Sequence, residues 1–427
     1  MTTTSTALAL VLATAGLAIP APALAQYNTP APARPTTAIP APAAATPTAP
    51  ERKYNLSSQA RPAVIALQAA INAKDTATIP AKLAAAQAKV KTADDKYVVA
   101  RMQLQIAAAA NDLVAMAPAI EALIASGGAP QKDTTALYIN LGKLQYNANA
   151  FDRASTAFER VLQIEPNNLD AMVMLAETRN SQGRAADSVG LLQKAIAARV
   201  ASGQKPDETW YKRAVALSYK AKLPSAPALA RDWAAAYPTA KNWRDAIRIY
   251  QNASKLDDSA LIDTMRLARA TGALAGENDY FRYTNTLVNK GFPGEAKATL
   301  EEGFAAKAID KSRPTFAQLY ANASTKSQGD RASLAASGKA ALAGPTAKQA
   351  MLIGDAYYGY GDYAQAAALY RAALTKAGAD KDLANLRIGM ALAQSGDKAG
   401  ATAALTAAGG AQADIAKLWL AYVATKA

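Results

Sequence analysis

Residues 347–374 constrain the fold of this chain more than any other stretch of its sequence. They read AKQAMLIGDAYYGYGDYAQAAALYRAAL, with a turn signal at Gly361-Asp362 between two segments of helical periodicity. The small and apolar residues that recur on one face are Ala350, Ile353, Gly354 and Tyr357 in the first segment, and Ala366, Tyr370 and Ala373 in the second. Each helix has an apolar stripe that it cannot bury alone, so the two must pack together and then against neighbouring helices.

The same pattern returns at a nearly fixed interval. Gly389 follows Gly354 by 35 residues, and Ala176 follows Gly142 by 34 residues. Repetition at this period is typical of helix pairs that bury their apolar faces by stacking in a row. The chain is therefore predicted to be all-α, and half of its residues are hydrophobic, which is enough to bury a large core.

Residues 134–168, TTALYINLGKLQYNANAFDRASTAFERVLQIEPNN, resemble a tetratricopeptide repeat. The matching positions are the Leu141-Gly142 pair, Tyr138 at the family's Trp position, and Ala154, Phe158 and Pro166 at the family's offsets. Asn149 stands where the family usually has a turn glycine. The replacement is compatible with the turn because asparagine also enters the left-handed conformation. The resemblance implies a right-handed α-solenoid of stacked antiparallel helix pairs, with about ten hairpins and a C-terminal capping helix.

We divide the chain by composition and by how closely each part follows the repeat. The predicted segments are a signal peptide (1–25), a linker rich in Pro, Ala and Thr (26–53), degenerate N-terminal hairpins (54–130), tetratricopeptide-like repeats (131–206), divergent basic repeats (207–345), further tetratricopeptide-like repeats (346–411) and a capping helix (412–427). Within the divergent part, residues 314–343 are read as one more hairpin. The capping helix carries Ile415, Leu418, Trp419 and Tyr422 along one face.

The N-terminal residues indicate export. Residues 7–19 form an apolar run too short to span a bilayer, and Ala23-Leu24-Ala25 reads as a cleavage site. The first six residues lack the Lys or Arg that such signals usually carry, but the seven prolines of residues 27–50 predict an extended tether rather than a folded start. We expect a periplasmic protein with no transmembrane segment in the mature chain, and secretion is the alternative.

The composition excludes several kinds of chemistry. The chain has no Cys and no His, so thiolate nucleophiles, Ser-His-Asp triads and His- or Cys-ligated metals cannot be built. Adjacent acid pairs such as Asp94-Asp95 do not face each other on a helix. We therefore predict no enzyme activity, no catalytic residues, no cofactor and no metal.

The net charge of +14 is uneven, because residues 201–345 alone contribute +7. A basic surface attracts anionic partners, so binding of a polyanionic glycan or an anionic lipid by these central repeats, in polysaccharide export or outer-membrane assembly, is the alternative function. A solvated surface with interspersed signs would explain the same charge. Export disfavours nucleic acid as a partner.

The main functional hypothesis is a non-catalytic scaffold or adaptor of the cell envelope that binds a partner protein. The resemblance implies that the first helix of every hairpin lines a concave groove, which would hold a peptide or a partner helix. The exposed groove residues that it implies are Lys143, Tyr146, Asn147, Glu177, Asn180, Tyr211, Tyr219, Asp355 and Tyr358.

Overall fold

The structure is a computed structural model that describes residues 53–426. Between these limits the chain forms twenty α-helices and one short 3₁₀ turn, without a β-strand. The predicted signal peptide and residues 26–52 of the predicted linker lie outside the described residues. The prediction of an all-α array of stacked helix pairs is confirmed for the described part of the chain.

The helices follow one another with short connections. They are α1 (Arg61–Asn72), α2 (Ile79–Gln87), α3 (Ala93–Ala109), α4 (Leu113–Ala125), α5 (Gln131–Asn147), α6 (Phe151–Ile164), α7 (Leu169–Ser181), α8 (Ala185–Ala201), α9 (Glu208–Lys220), α10 (Ala226–Ala236), α11 (Ala240–Ala253), α12 (Asp258–Ala270), α13 (Gly276–Asn289), α14 (Pro293–Ala305), α15 (Pro314–Ala343), α16 (Ala347–Gly359), α17 (Tyr363–Ala373), α18 (Lys381–Ser395), α19 (Lys398–Ala407) and α20 (Ala413–Ala424).

Nine of the predicted hairpins are present, and the tenth is not. Residues 314–343, which we expected to form a hairpin, form the single 30-residue helix α15. A tight turn between helices needs a residue that leaves the helical conformation, whereas Gly329 in the middle of α15 stays helical. The buried residues of α15, from Phe316 to Ala341, instead follow one continuous stripe along the helix.

In three hairpins a glycine of the first helix packs against a large side chain of the second helix, which lies 16 residues later in the sequence. A Cβ added to Gly142 would lie 2.6 Å from the Phe158 ring, and one added to Gly354 would lie 2.5 Å from the Tyr370 ring. At Gly389 the same atom would lie 2.4 Å from Leu405. The Leu-Gly feature of the sequence is therefore a steric requirement of close helix packing.

The predicted turn residues have the backbone conformation that the turns need. Gly361 has φ of +79°, and Asn149 has φ of +59°. Asn149 thus enters the left-handed region, which asparagine tolerates better than most residues with a Cβ.

The chain divides after Ala198 into two compact units. In the first unit, α1 to α5 enclose a core that includes Leu67, Met102 and Ile120. Asp95 fastens the start of this unit, because its carboxylate accepts hydrogen bonds from the backbone N–H groups of Ser57 at 2.9 Å and of Thr92 at 3.1 Å. Thr92 in turn caps α3, so Asp95 joins the N-terminal segment to this helix.

The second unit is organised around α12. Every residue from Leu261 to Ala268 is buried, so this helix has no face in solvent over two turns. The C-terminal helix α20 packs on α18 and α19 and also on α10 and α12. It therefore does more than cover the last hairpin, because it joins the end of the second unit to its beginning.

Candidate protein-binding surfaces

In the first unit, predicted groove residues lie on the neighbouring first helices α5 and α7. Lys143 and Tyr146 on α5 are half-buried and Asn147 is exposed, while Glu177 and Asn180 on α7 are half-buried. The hydroxyls of Tyr146 and Ser181 lie 3.3 Å apart and connect the two helices. The structure thus places these five residues on α5 and α7, the first helices of two successive hairpins.

In the second unit, a similar row of polar side chains connects the first helices α9, α11 and α13. The side-chain amide of Asn252 donates to the hydroxyl of Tyr219 at 3.3 Å, which joins α11 to α9. Arg282 donates to the side-chain oxygen of Gln251 at 3.3 Å, which joins α13 to α11. Tyr219, a predicted groove residue, is half exposed at 50%, and Phe281 on α13 is 40% exposed. We call these five residues the α9–α13 strip.

A hollow of about 250 Å³ lies beside the strip. It is lined by Arg248, Gln251, Asn252, Met265, Asn278, Asp279 and Arg282. Asp279 accepts hydrogen bonds from Arg248 at 3.0 Å and from Arg244 at 3.2 Å, which fixes both guanidinium groups, and Arg248 is the one of the two that lines the hollow. The hollow therefore offers amide donors and acceptors together with positioned cations.

Sequence reasoning missed Arg248, Gln251, Asn252, Phe281 and Arg282. The reason is that α11 and α13 lack the Leu-Gly pair that identified the other first helices. A weaker signal exists in the spacing, because small Ala296 and large Leu300 follow Thr284 at the same intervals at which Ala154 and Phe158 follow Gly142. This spacing aligns Thr284 with Gly142 and would have given the register of the first helix that contains residues 281 and 282.

Three predicted groove residues are not exposed, so their prediction as accessible contact residues is wrong. Tyr211 is 4% exposed and its ring packs edge-on against Tyr237. Asp355 and Tyr358 on α16 are 2% and 4% exposed. The inner face of α16 is covered by other parts of the second unit, and its polar groups are bound there.

Asp355 belongs to a buried network of five charged residues, which we call the ion network. Its members are Asp263, Arg266, Glu295, Asp355 and Arg387. Arg266 donates to Glu295 at 2.8 Å and to Asp355 at 3.0 Å. Arg387 donates to the other oxygen of Asp355 at 2.5 Å and to Asp263 at 3.3 Å. Because each charge meets an opposite one, the network is tolerated in the interior.

The pKa values of two carboxyl groups in this network, Asp263 and Glu295, are shifted in opposite directions. Burial raises the pKa of Asp263 above its ordinary value, although Arg387 and Arg266 act against it. At Glu295 burial also favours the neutral form, but the charge and hydrogen bonds of Arg266 outweigh it, and the pKa lies below its ordinary value. Burial raises the pKa of the neighbouring hydroxyls of Tyr283 and Tyr370, so they remain protonated hydrogen-bond donors.

A larger hollow of about 570 Å³ lies between α14, α15 and the turn before α17. Two cations at its wall already have partners, because Arg269 forms two hydrogen bonds with Glu302 and Lys297 pairs with Glu301 at 3.5 Å. Within residues 53–426, no three acidic side chains gather in an arrangement that could hold a metal ion. None of the helices in this range combines the length and hydropathy that crossing a bilayer requires.

The described structure defines the class of protein. It is an all-α protein built from repeated antiparallel helix pairs, with a small residue and a large residue meeting at a fixed spacing in several hairpins. Residues 145–202 match the family model of the tetratricopeptide repeat. This match indicates tetratricopeptide repeat structure in that part of the chain, a fold that suggests a scaffold for protein–protein interaction.

Comparison with solved structures gives distant similarities. A tetratricopeptide repeat protein from Parabacteroides merdae is 14% identical, with a TM-score of 0.28, over 70% of this chain and 99% of the other. Naa15/Naa10 bound to HypK-THB is 14% identical, with a TM-score of 0.25, over 83% of this chain and 63% of the other. No curated protein sequence matches the chain.

Proposed function

We propose that this protein is a non-catalytic scaffold that binds an extended segment of a partner protein along the α9–α13 strip. The observation that carries this proposal is the row of hydrogen bonds from Tyr219 through Asn252 and from Gln251 to Arg282, with a hollow beside it. The row runs across three successive first helices, so a segment that crosses these helices would meet it along its length.

The chemistry of the strip suits a peptide backbone. Each peptide unit of an extended segment brings an N–H donor and a C=O acceptor that must keep hydrogen-bond partners when water leaves. The exposed side-chain amide of Asn252 carries both kinds of partner. Gln251 offers its side-chain oxygen as an acceptor, because its amide nitrogen already donates to the Thr264 hydroxyl at 2.8 Å. Tyr219 and Phe281 add exposed aromatic surface, which is enriched among the residues that dominate binding energy.

The test starts with selection of peptides that bind the full chain from a random displayed library. The selected peptide is then measured by titration against Phe281→Ala and Asn252→Ala. We expect each variant to weaken binding about tenfold or more, because hot-spot truncations cost about 1–2 kcal/mol or more. The matched control is Leu342→Ala on α15, which removes a comparably exposed apolar side chain, 45% exposed, from another surface.

The strip would be the wrong site if Leu342→Ala weakened binding as much as Phe281→Ala. It would also be the wrong site if neither strip variant weakened binding. The same peptide can be titrated against Tyr146→Ala, which asks whether the first unit takes part.

We further propose that the scaffold works in the cell envelope, most simply in the periplasm. The support is the apolar run of residues 7–19 followed by Ala23-Leu24-Ala25. Fusion of residues 1–30 to a reporter enzyme that is active only after export should give activity in a Gram-negative host. An inactive fusion that accumulates uncleaved in the cytoplasm would contradict export.

Binding of a polyanionic glycan or anionic lipid is the second candidate, and the charge of +7 in residues 201–345 favours it. Several of those cations are neutralised in ion pairs, for example Lys212 with Glu208 and Lys241 with Asp245. Charge reversal at the exposed residues Lys222 and Lys255 should abolish retention on dextran sulfate or anionic vesicles if this candidate is right. Unchanged retention after reversal would remove it.

A further inference from the structure

Four residues on one face of α12 contact the C-terminal helices as a bound helix contacts its groove. The stripe consists of Ser259, Asp263, Arg266 and Ala270, which are spaced by four, three and four residues and so share one helix face. Each of them contributes a polar group to α16, α18 or α20. On its other side, α12 packs apolar residues such as Ile262 and Met265 against α13.

Two arginines, Arg387 and Arg266, make the charged contacts between α12 and the C-terminal helices. Arg387 of α18 donates to the Ser259 hydroxyl at 2.6 Å and to the Asp263 carboxylate at 3.3 Å. Arg266 of α12 donates to Asp355 of α16 at 3.0 Å, and its guanidinium lies 4.4 Å from the centre of the Tyr358 ring. Each side therefore presents both an arginine and a carboxylate.

The C-terminal helix α20 holds the backbone of the same stripe. The indole nitrogen of Trp419 donates to the Asp263 carbonyl at 3.2 Å, and the Tyr422 hydroxyl donates to the Ala270 carbonyl at 3.3 Å. Trp419 is completely buried by this arrangement. The contact thus covers nearly three turns of α12, from Ser259 to Ala270.

α16 and α18 are first helices of their hairpins, and side chains of α12 bind the polar groups on their inner faces, namely Asp355 of α16 and Arg387 of α18. α14 also packs against α16. Side-chain anchors spaced by three and four residues are typical of a helix that lies in a groove. Complementary charges fix the register of such a helix, because a shifted helix would leave a buried charge without a partner.

We propose that α16, α18 and α20 form a helix-binding groove that α12 occupies in cis. The groove recognises a helix that carries serine, aspartate and arginine at the spacing of Ser259, Asp263 and Arg266. A partner helix with the same stripe competes with α12 for this groove. The inference does not rest on the α9–α13 strip, since it concerns another face of the second unit.

The test uses the full chain and a fluorescently labelled peptide of residues 257–271, DDSALIDTMRLARAT. The wild-type chain should bind it weakly, because α12 covers the groove and the competent fraction is small. Asp263→Arg and Ser259→Arg each place a positive charge against Arg387 and should release the groove from α12. Fluorescence anisotropy should then show binding at least about tenfold tighter than for the wild-type chain.

Two controls make the result specific. Asp258→Arg places an arginine on the same helix outside the stripe, at a residue whose exposed carboxylate pairs with Lys290, and should leave peptide binding at the wild-type level. A peptide in which the residues corresponding to Asp263 and Arg266 are exchanged should not bind the released groove. Hydrogen exchange over residues 413–424 should accelerate in the two stripe variants and not in the control.

The proposal is overturned if the stripe variants keep their helical circular dichroism and bind the peptide no better than Asp258→Arg does. Equal binding of the exchanged peptide would overturn it as well, because recognition would then not depend on the charges. If both stripe variants lose their helical content, α12 is an inseparable part of the core and the groove has no exchangeable occupant.

Discussion

The replacement Arg266→Met tests whether the ion network holds the second unit together. Arg266 is fully buried and makes three hydrogen bonds to Glu295, at 2.8, 3.0 and 3.2 Å, besides those to Asp355 and Asp263. Methionine keeps much of the apolar volume but none of the donors. Asp263 and Asp355 would retain Arg387, whereas the only other side-chain donor to Glu295 in the described structure is Tyr283, at 2.5 Å.

The expected cost follows from this stranded carboxylate. Removal of one partner of a buried ion pair costs about 3–5 kcal/mol, because the remaining charge stays desolvated. The mutation should also raise the pKa of Glu295 above its unfolded-state value. The variant then keeps its stability below the unfolded-state pKa of Glu295 and loses it as the pH rises through the raised folded-state pKa of Glu295. The destabilisation caused by Arg266→Met should therefore be smaller at acid pH than at pH 7.

Urea unfolding followed by tryptophan fluorescence measures this cost, because all four tryptophans lie in the second unit. Arg269→Met is the matched control, since Arg269 lies one turn away and forms two hydrogen bonds with Glu302, an acid whose side chain is 52% exposed. It should cost about 1 kcal/mol or less. Equal costs for the two variants would refute the reasoning, and so would failure of Glu295→Gln to recover stability in the Arg266→Met background.

Three further predictions concern single residues. Gly354→Ala should destabilise the second unit by about 1–3 kcal/mol in urea unfolding, because the new Cβ would lie 2.5 Å from the Tyr370 ring, whereas Gly329→Ala in α15 meets no atom within 4 Å and should be neutral or stabilising. The pKa of Asp95 falls from 3.8 to about 2, because backbone N–H bonds outweigh the effect of burial, so its stabilisation of about 2 kcal/mol is present above pH 4 and lost as the pH falls through 2. Asp95→Asn should remove that pH dependence from the thermal unfolding of the first unit, followed by circular dichroism. Asn149→Ala should lower the thermal stability by about 1 kcal/mol and Asn149→Gly should not, because residue 149 has φ of +59°.

The sequence alone predicted the features that depend on contacts within one hairpin. The turn at Gly361 and the pairing of Gly354 with Tyr370 are encoded by residues at most 16 positions apart. Such contacts leave a periodic mark, because every hairpin must solve the same packing problem. For this reason the all-α class and nine of the helix pairs could be predicted. The predicted groove residues from Lys143 to Asn180 also lie on the neighbouring helices α5 and α7.

The prediction of a hairpin at residues 314–343 was wrong for a related reason. A weak repeat pattern does not distinguish two short helices from one long helix when the candidate turn residue in the middle of the segment, Gly329, can also remain helical. A Cβ at Gly329 would meet no atom within 4 Å, so no neighbouring element packs closely against the middle of α15 at this residue. Packing of α15 against α14 and α16 decides the outcome.

Only the tertiary structure decided which first helices keep an open face. The residues that cover the inner faces of α16 and α18 lie far away in the sequence: Arg266 reaches Asp355 across 89 positions, Arg387 reaches Asp263 across 124, and Trp419 reaches Asp263 across 156. Contacts at such separations have no periodic signature, because each occurs once in the chain. Asp355 and Tyr358 therefore carry the sequence pattern of groove residues, yet α14 packs against their helix α16, and Arg266 of α12 contacts both side chains in the interior.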